Sequence, residues 1–374
     1  MNFIGTIVFE KKPVEGSRRN SEGAFLDLKD GRIMHAYSHF IGGADWDDCN
    51  LAACYSDDDG RTWYGEDILV TMADDGLTHD PKNPQNIMEI SLMRMRNSDI
   101  GLFYEIRRTL LDTRLVLRRS SDEGKTWSGP VICSTSIGYH CICHDRVIRL
   151  SNGRILAPDS IFRIRLDDLD FTDPTAPEKA WDGYGDCIFH VSDDDGLTWC
   201  ETPGRIKLAV PATNNGLQEP MVIELKNGVL WCLSRTDLGR QYESYSMNRG
   251  ETWTAPQPSR FTSPLSPMVI KRVAKTDSLI AVWNPVPVTI SENYKANKWW
   301  QVYPKRSPLV AAISRDDGQI WEDFKYLDGN EPDLPGQFSY PALHILKDAF
   351  LVSYMDQMRG GISMKIKRVE FAEL

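Results

Sequence analysis

The octapeptide SDDDGLTW, Ser192 to Trp199, is one of five variants of a single pattern, SxDxGxTW, spread along the chain. SDDDGRTW (Ser56 to Trp63) and SSDEGKTW (Ser120 to Trp127) keep every fixed position. SMNRGETW (Ser246 to Trp253) has Asn248 in the Asp place, and SRDDGQIW (Ser314 to Trp321) has Ile320 in the Thr place. The copies begin at 56, 120, 192, 246 and 314, which sets them 64, 72, 54 and 68 residues apart. Spacing this long and uneven describes a small sheet repeated with variable loops.

Each copy has a physical reading. The acidic or amide side chain folds back onto backbone amides as an Asx-type turn, Gly supplies the positive φ of a tight turn, and Trp plugs between neighbouring sheets. Strand-like runs precede the boxes, among them CNLAACYS, TRLVLRRS, DCIFHVS and PLVAAIS. Further upstream stand turn-then-apolar hairpin signals: LKDGRIMHAYS, MRNSDIGLFYEI, LSNGRILAPDS, LKNGVLWCLSR and LKDAFLVSYMD. Helical periodicity is nearly absent. Four-stranded sheets repeated radially are β-propeller blades. A chain of 374 residues at about 62 per unit holds about six of them. The expected fold is therefore all-β, a six-bladed propeller occupying residues 1–374 as one domain. Its boxless last blade is Phe338 to Leu374, and FIGTIVFE completes that sheet. A β-helix or paired sandwiches is the alternative.

Composition agrees with a globular chain, with 41% apolar and 26% charged residues. Lys and Arg number 43 against 53 Asp and Glu, a net charge of −10. The averaged field then repels nucleic acid and anionic membranes, and an anionic ligand needs a local basic cluster. No run approaches the ~20 apolar residues of a membrane span. The opening MNFIGTIVFEKKPVEG lacks the features of an export signal. Eight scattered cysteines without paired spacing read as reduced thiols, and a cytoplasmic location is expected.

The boxes resemble the Asp-boxes of the sialidase superfamily, whose members are six-bladed propellers, and the resemblance spans the chain. RNSEG and FSYPAL look most like a bacterial sialidase-like branch. In that family the boxes sit away from the catalytic face, so function rests on other residues. The resemblance implies an arginine triad for a substrate carboxylate, carried here by Arg19 in SRRNSEG, Arg235 in VLWCLSR and Arg306 in KRSPLVAAIS. Arg suits the task because its planar fork grips a carboxylate through paired hydrogen bonds. The resemblance further implies Tyr340 as nucleophile, Glu219 in GLQEPMVIEL as its base, and Asp45 in FIGGADWDD as acid and base, with Asp47 and Asp48 in reserve. A neutral phenol avoids the repulsion that a carboxylate nucleophile would meet, but it needs a base because its pKa is ~10. Trp46 is expected to raise the Asp45 pKa by desolvation.

Several assignments stay open on the sequence. Arg18 competes with Arg19, Arg240 with Arg235, and Tyr354 with Tyr340. Glu22 is placed in the binding set, and at least one of Glu89 and Glu105 in the cleft. In GYHCICHDRVIRL, His144, Asp145 and Arg146 are expected to line the cleft against substrate. Strand alternation puts His140, Ile142 and His144 on one face and Cys141, Cys143 and Asp145 on the other. The motif then cannot converge on a metal without a bulge, and neither metal nor cofactor is expected.

The resulting expectation is a retaining exo-glycosidase that releases a terminal acidic sugar, sialic acid or a close relative, from an oligosaccharide or glycoconjugate. Two alternatives stand: a propeller hydrolase or lyase for uronates or deoxysugars, using His144 and Tyr340, and a non-catalytic carbohydrate-binding propeller. The segments Asp167 to Asp186 and Val286 to Lys305 are expected as rim loops. Trp181, Trp299 and Trp300 there are candidates for sugar stacking or for a homo-oligomer contact.

Overall fold

The computed structural model describes residues 2–80, 84–109, 111–164, 181–286, 306–329, 337–358 and 361–374. It is an all-β propeller built from consecutive antiparallel meanders. The first meander runs Arg19–Asp27, Ile33–Phe40, Cys49–Ser56 and Tyr64–Val70. The second runs Asn86–Arg94, Ile100–Thr109, Asp112–Ser120 and Val131–Ile132. In the third, Tyr139–Cys141 and Ile148–Arg149 share one neighbour, Ile155–Ile164, followed by Trp181–Ser192 and Cys200–Glu201. The fourth comprises Gln218–Glu224, Leu230–Arg235, Arg240–Ser246 and Gln257–Thr262. The fifth comprises Val269–Val273, Ser278–Trp283, Leu309–Ser314 and Glu322–Asp328.

The last meander has Gln337–Ile345, Ala349–Met358 and Gly361–Glu370, with Thr6–Lys11 paired to its outer edge. The N-terminal strand thus completes the last sheet, as its sequence suggested. A single parallel pair, Arg19 with Ile362, joins this meander to the first, so the two count as one eight-stranded sheet. The stretch Asp167 to Asp186, read as a rim loop, is corrected at its C-terminal end, because strand structure begins at Trp181. Trp299 and Trp300 lie outside the described residues, as does the side chain of Trp181.

Burial explains why the strands read as continuous apolar runs rather than strict alternations. Adjacent residues of one strand serve opposite interfaces: Ile270 and Leu279 pack toward the fourth meander, while Val269 and Ile280 pack toward the last. Comparable clusters lie between first and second, second and third, and third and fourth meanders. Phe25, Ile33 and Tyr37 close the ring against Leu351, Met364 and Ile366. A sheet with both faces covered has no polar side to alternate with.

The box turns behave as their sequence predicts. Ser192 Oγ donates to Asp194 Oδ1 at 2.8 Å and accepts from the Gly196 amide at 2.7 Å, while Asp194 receives the Thr198 amide and hydroxyl at 2.9 and 2.6 Å. Asn248 performs the same service in its degraded copy, accepting the Thr252 amide at 3.0 Å. A Cβ on the box glycine would meet the preceding meander: Leu117 at Gly196, Leu156 at Gly250 and Trp231 at Gly318. The box tryptophans follow, Trp253 stacking on Phe189 and Trp199 meeting Phe103 edge-on. All eight cysteines are free thiols. No helix among the described residues is long and apolar enough to cross a membrane.

Candidate active site

The cleft lies at the end of the propeller opposite the boxes. Boxes follow the third strand of a meander, whereas the cleft residues come from the start of the first strand and the end of the second. One backbone device recurs there. Glu22, Glu89, Asp145, Glu219 and Tyr340 all have φ between +46° and +62°. Around four of them the strand register slips, between Ser21 and Ala24, Met88 and Ser91, Gln218 and Met221, and Ser339 and Ala342. An inserted residue in left-handed conformation is a bulge, which re-aims a side chain, and non-glycine residues adopt that conformation at a cost of about 1–3 kcal/mol. Neighbouring meanders hold the bulges. Ser38 Oγ accepts the Glu89 amide at 3.1 Å, Ile90 O the Asp145 amide at 2.9 Å, and Ser160 Oγ the Glu219 amide at 2.7 Å.

The bulges of the fourth and last meanders bring Glu219 and Tyr340 together. The Tyr340 hydroxyl donates to Glu219 Oε1 at 2.7 Å. Arg235 donates to the same oxygen at 2.6 Å and to the Tyr340 hydroxyl oxygen at 3.0 Å. The Arg306 guanidinium carbon sits 5.4 Å from the Tyr340 ring centre, and its Nε–H reaches Leu265 O at 3.1 Å. Burial pushes the Glu219 carboxyl up, but Arg235 and these hydrogen bonds outweigh it and hold the pKa below the ordinary value. Burial and the Glu219 charge push the Tyr340 phenol well up, so it is neutral in the free cleft. Of the competing assignments, Arg240 is exposed with its guanidinium on Ser259 O, and the Tyr354 hydroxyl is spent on Asp328.

Across the cleft, the buried Arg19 pairs with Glu22 and Asp45, and Arg18 is exposed. Asp45 keeps 57% of its side chain open to solvent. Its expected raised pKa is corrected. Desolvation does push the carboxyl up, but Arg19, with Arg107 and Arg235 beyond, holds it below the ordinary value. Trp46 lies instead under the Arg107 guanidinium, 5.1 Å from ring centre to Cζ. Burial raises Glu22 to about 7 despite Arg19, with Glu89 and Asp45 adding to the rise and His144 opposing it.

Sequence reasoning missed Arg107 and Asn86. Arg107 donates to Asp45 O at 2.5 Å and to the Tyr139 hydroxyl at 3.0 Å, while Asn86 Nδ2 holds Asp45 O at 2.8 Å. Arg107 pairs in register with Asn86 as Arg235 pairs with Gln218. Aligning the meanders strand by strand would have exposed this equivalence.

The HCICHDR segment departs from expectation. The strand stops after Cys141 and resumes at Ile148, so alternation fails between them. His144 and Asp145, expected against substrate, instead stitch the meanders together, while Arg146, expected there too, is buried with no hydrogen-bond partner for its guanidinium among the described residues. His144 Nε2 faces Tyr340 O at 3.1 Å, and because a carbonyl only accepts, the proton sits on Nε2. Burial, with Arg146 nearby, drives the His144 pKa down to about 4 and keeps the ring neutral. Asp145 takes Lys271 Nζ at 2.6 Å and the Leu343 amide at 3.1 Å, and Arg146 is 2% exposed. Glu89 accepts the His144 amide at 2.8 Å and Glu105 accepts the Ile142 amide, so both acids hold this backbone.

A propeller with Asp-box turns is sialidase-like in its fold. The chain belongs to the BNR repeat-like domain family, whose model matches residues 70–352. Solved structures agree at the level of fold. The Hadza microbial sialidase Hz136 superposes with a TM-score of 0.71 at 16% identity, covering 96% of this chain and 67% of that one. A Dyadobacter fermentans protein of unknown function gives 0.67 at 18% identity, covering 98% of both chains. The NanB sialidase of Streptococcus pneumoniae gives 0.70 at 12% identity, covering 99% of this chain and 71% of that one. No curated protein matches the sequence.

Proposed function

We propose that this chain is a single six-bladed propeller acting as a retaining exo-glycoside hydrolase on a terminal acidic sugar, sialic acid or a close relative, of an oligosaccharide or glycoconjugate. The blade count treats the eight-stranded sheet as two blades sharing the Arg19–Ile362 bridge. The eight free thiols support a reducing, cytoplasmic location. The observation carrying the activity is the Tyr340 hydroxyl donating to Glu219 while Arg235 touches both.

In this reading the substrate carboxylate is taken by Arg235, Arg306 and Arg19. At Arg19 it displaces Asp45, whose pKa then rises because the arginine that held it down is occupied. Asp45 can therefore arrive protonated and deliver its proton to the leaving oxygen. Tyr340 attacks the anomeric carbon as its hydroxyl proton passes to Glu219, forming an aryl glycoside. Asp45, now ionised, draws a proton from water, which releases the sugar and restores Tyr340 through the proton on Glu219. The elimination alternative needs His144 as base, but that ring is buried and its Nε2–H is committed to Tyr340 O.

Wild type and Tyr340→Phe, assayed on a fluorogenic sialoside beside uronide and deoxysugar glycosides, test the reading. The expected result is sialoside turnover that falls at least ~10³-fold in the variant. Activity confined to a uronide, or undiminished in Tyr340→Phe, overturns it.

A further inference from the structure

Among the described residues, two buried clusters contain histidine with acidic or thiol partners, His140–Asp159–His190 and Glu89–Cys143–His144. Their spacings differ in kind. In the first, His140 Nδ1 and His190 Nε2 approach Asp159 Oδ2 at 2.5 and 2.8 Å, which are direct hydrogen bonds with no room for an ion between the atoms. His140 also directs Nε2 at Ser136 O, so both its nitrogens carry protons and none is left to ligate. In the second, Cys143 Sγ lies 3.5 Å from His144 Nδ1, and Nδ1 lies 3.3 Å from Glu89 Oε2. A tetrahedral zinc with ordinary bond lengths separates a thiolate sulfur from an imidazole nitrogen by about 3.6 Å, and a nitrogen from a carboxylate oxygen by about 3.4 Å.

We propose that Glu89, Cys143 and His144 form a site for one zinc(II) ion, with water as the fourth ligand. Donor type fits, since thiolate, imidazole and carboxylate together suit zinc better than a hard cation. The tautomer fits as well, because Nε2–H is held by Tyr340 O and Nδ1 presents a lone pair to the other two ligands. A backbone carbonyl on the distal nitrogen is the outer contact that orients a ligating histidine. Glu89 is oriented in turn by the His144 amide, 2.8 Å from Oε2. The break in the strand after Cys141 supplies the bulge that alternation lacked. On binding, the zinc–sulfur bond replaces the Cys143 S–H bond, and the proton leaves to solvent. The ion would tie the second meander to the third and, through His144, fix the backbone that carries Tyr340.

The test is reconstitution of the full chain with zinc alone, followed by metal analysis, and with cobalt(II), followed by absorption spectroscopy. One zinc per folded chain is expected, together with a thiolate-to-cobalt charge-transfer band. Cys143→Ser should abolish that band and weaken zinc binding by more than about tenfold. Cys200→Ser, at an exposed thiol, should leave both intact. A folded wild type that takes up no stoichiometric zinc, or cobalt bound without a thiolate band, overturns the proposal whether or not the variants fold. Zinc binding unchanged in a folded Cys143→Ser overturns it too.

Discussion

At the scale of single residues, the cleft sets buried acids against arginines, and which side prevails varies from one acid to the next. Glu219 and Asp45 stay ionised because Arg235 and Arg19 outweigh desolvation, whereas Glu22, beside the same Arg19, is raised to about 7. Glu22 also faces Glu89, Asp45 and His144, and two like charges add to its burial. Its folded pKa lies above the ordinary 4.5, so between those values the folded state binds more protons than the unfolded one. Stability from this group is therefore fully present below pH 4.5 and is lost as pH rises toward 7. Glu22→Gln should flatten that slope, so that melting temperatures of wild type and variant diverge in the variant's favour between pH 5 and pH 8. Parallel curves would refute the assignment.

At the scale of the element, the box turn is an interlocking device as much as a turn. Its glycine needs both a positive φ and the absence of a Cβ: at Gly318, φ is +91° and a Cβ would stand 2.7 Å from Trp231. Gly31 has a similar φ of +89° with nothing within 4 Å. Gly31→Ala should therefore cost only the backbone term, about 1 kcal/mol, while Gly318→Ala adds the displacement of a rigid indole and should cost about 2–4 kcal/mol in all. Thermal or urea denaturation of the two variants separates the contributions, and equal losses would remove the packing argument. The bulges are the corresponding device at the cleft end, where a hydroxyl or carbonyl of the neighbouring meander holds a strained residue.

Over the whole molecule, stability depends on a ring in which every sheet covers the next. The strand Thr6–Lys11 pairs with Gly361–Glu370 from Thr6 opposite Arg368 to Lys11 opposite Met364, so the two ends of the chain share one sheet. Removing residues 1–11 leaves that edge unpaired, and an unpaired edge invites association with other chains. The truncated protein should melt at a lower temperature and aggregate more readily with concentration in light scattering. A truncation that melts and behaves as the full chain does would show that the seam adds nothing.

The sequence by itself determined the repeat, the box turns and the pairing of the N-terminal strand with the last sheet, because these rest on local turn chemistry and on short apolar runs between turns. That Glu219, Arg235 and Tyr340 come together was expected only through the resemblance to the sialidase superfamily, and the structure places the three in contact. Only the tertiary structure decided that Asp45 is the partner of Arg19, that Arg107 and Asn86 hold the Asp45 loop, and that His144 and Asp145 bind meanders to one another instead of facing the cleft. The reason is geometric. Alternation tells which face a side chain takes only while the strand stays regular, and Glu22, Glu89, Glu219 and Tyr340 sit at bulges that reset the count. The partners of Tyr340 and Asp145 lie more than 100 residues away along the chain, where no local pattern reaches. Cys143 and His144, sorted to opposite faces by counting, meet beside Glu89 because the strand carrying them is interrupted.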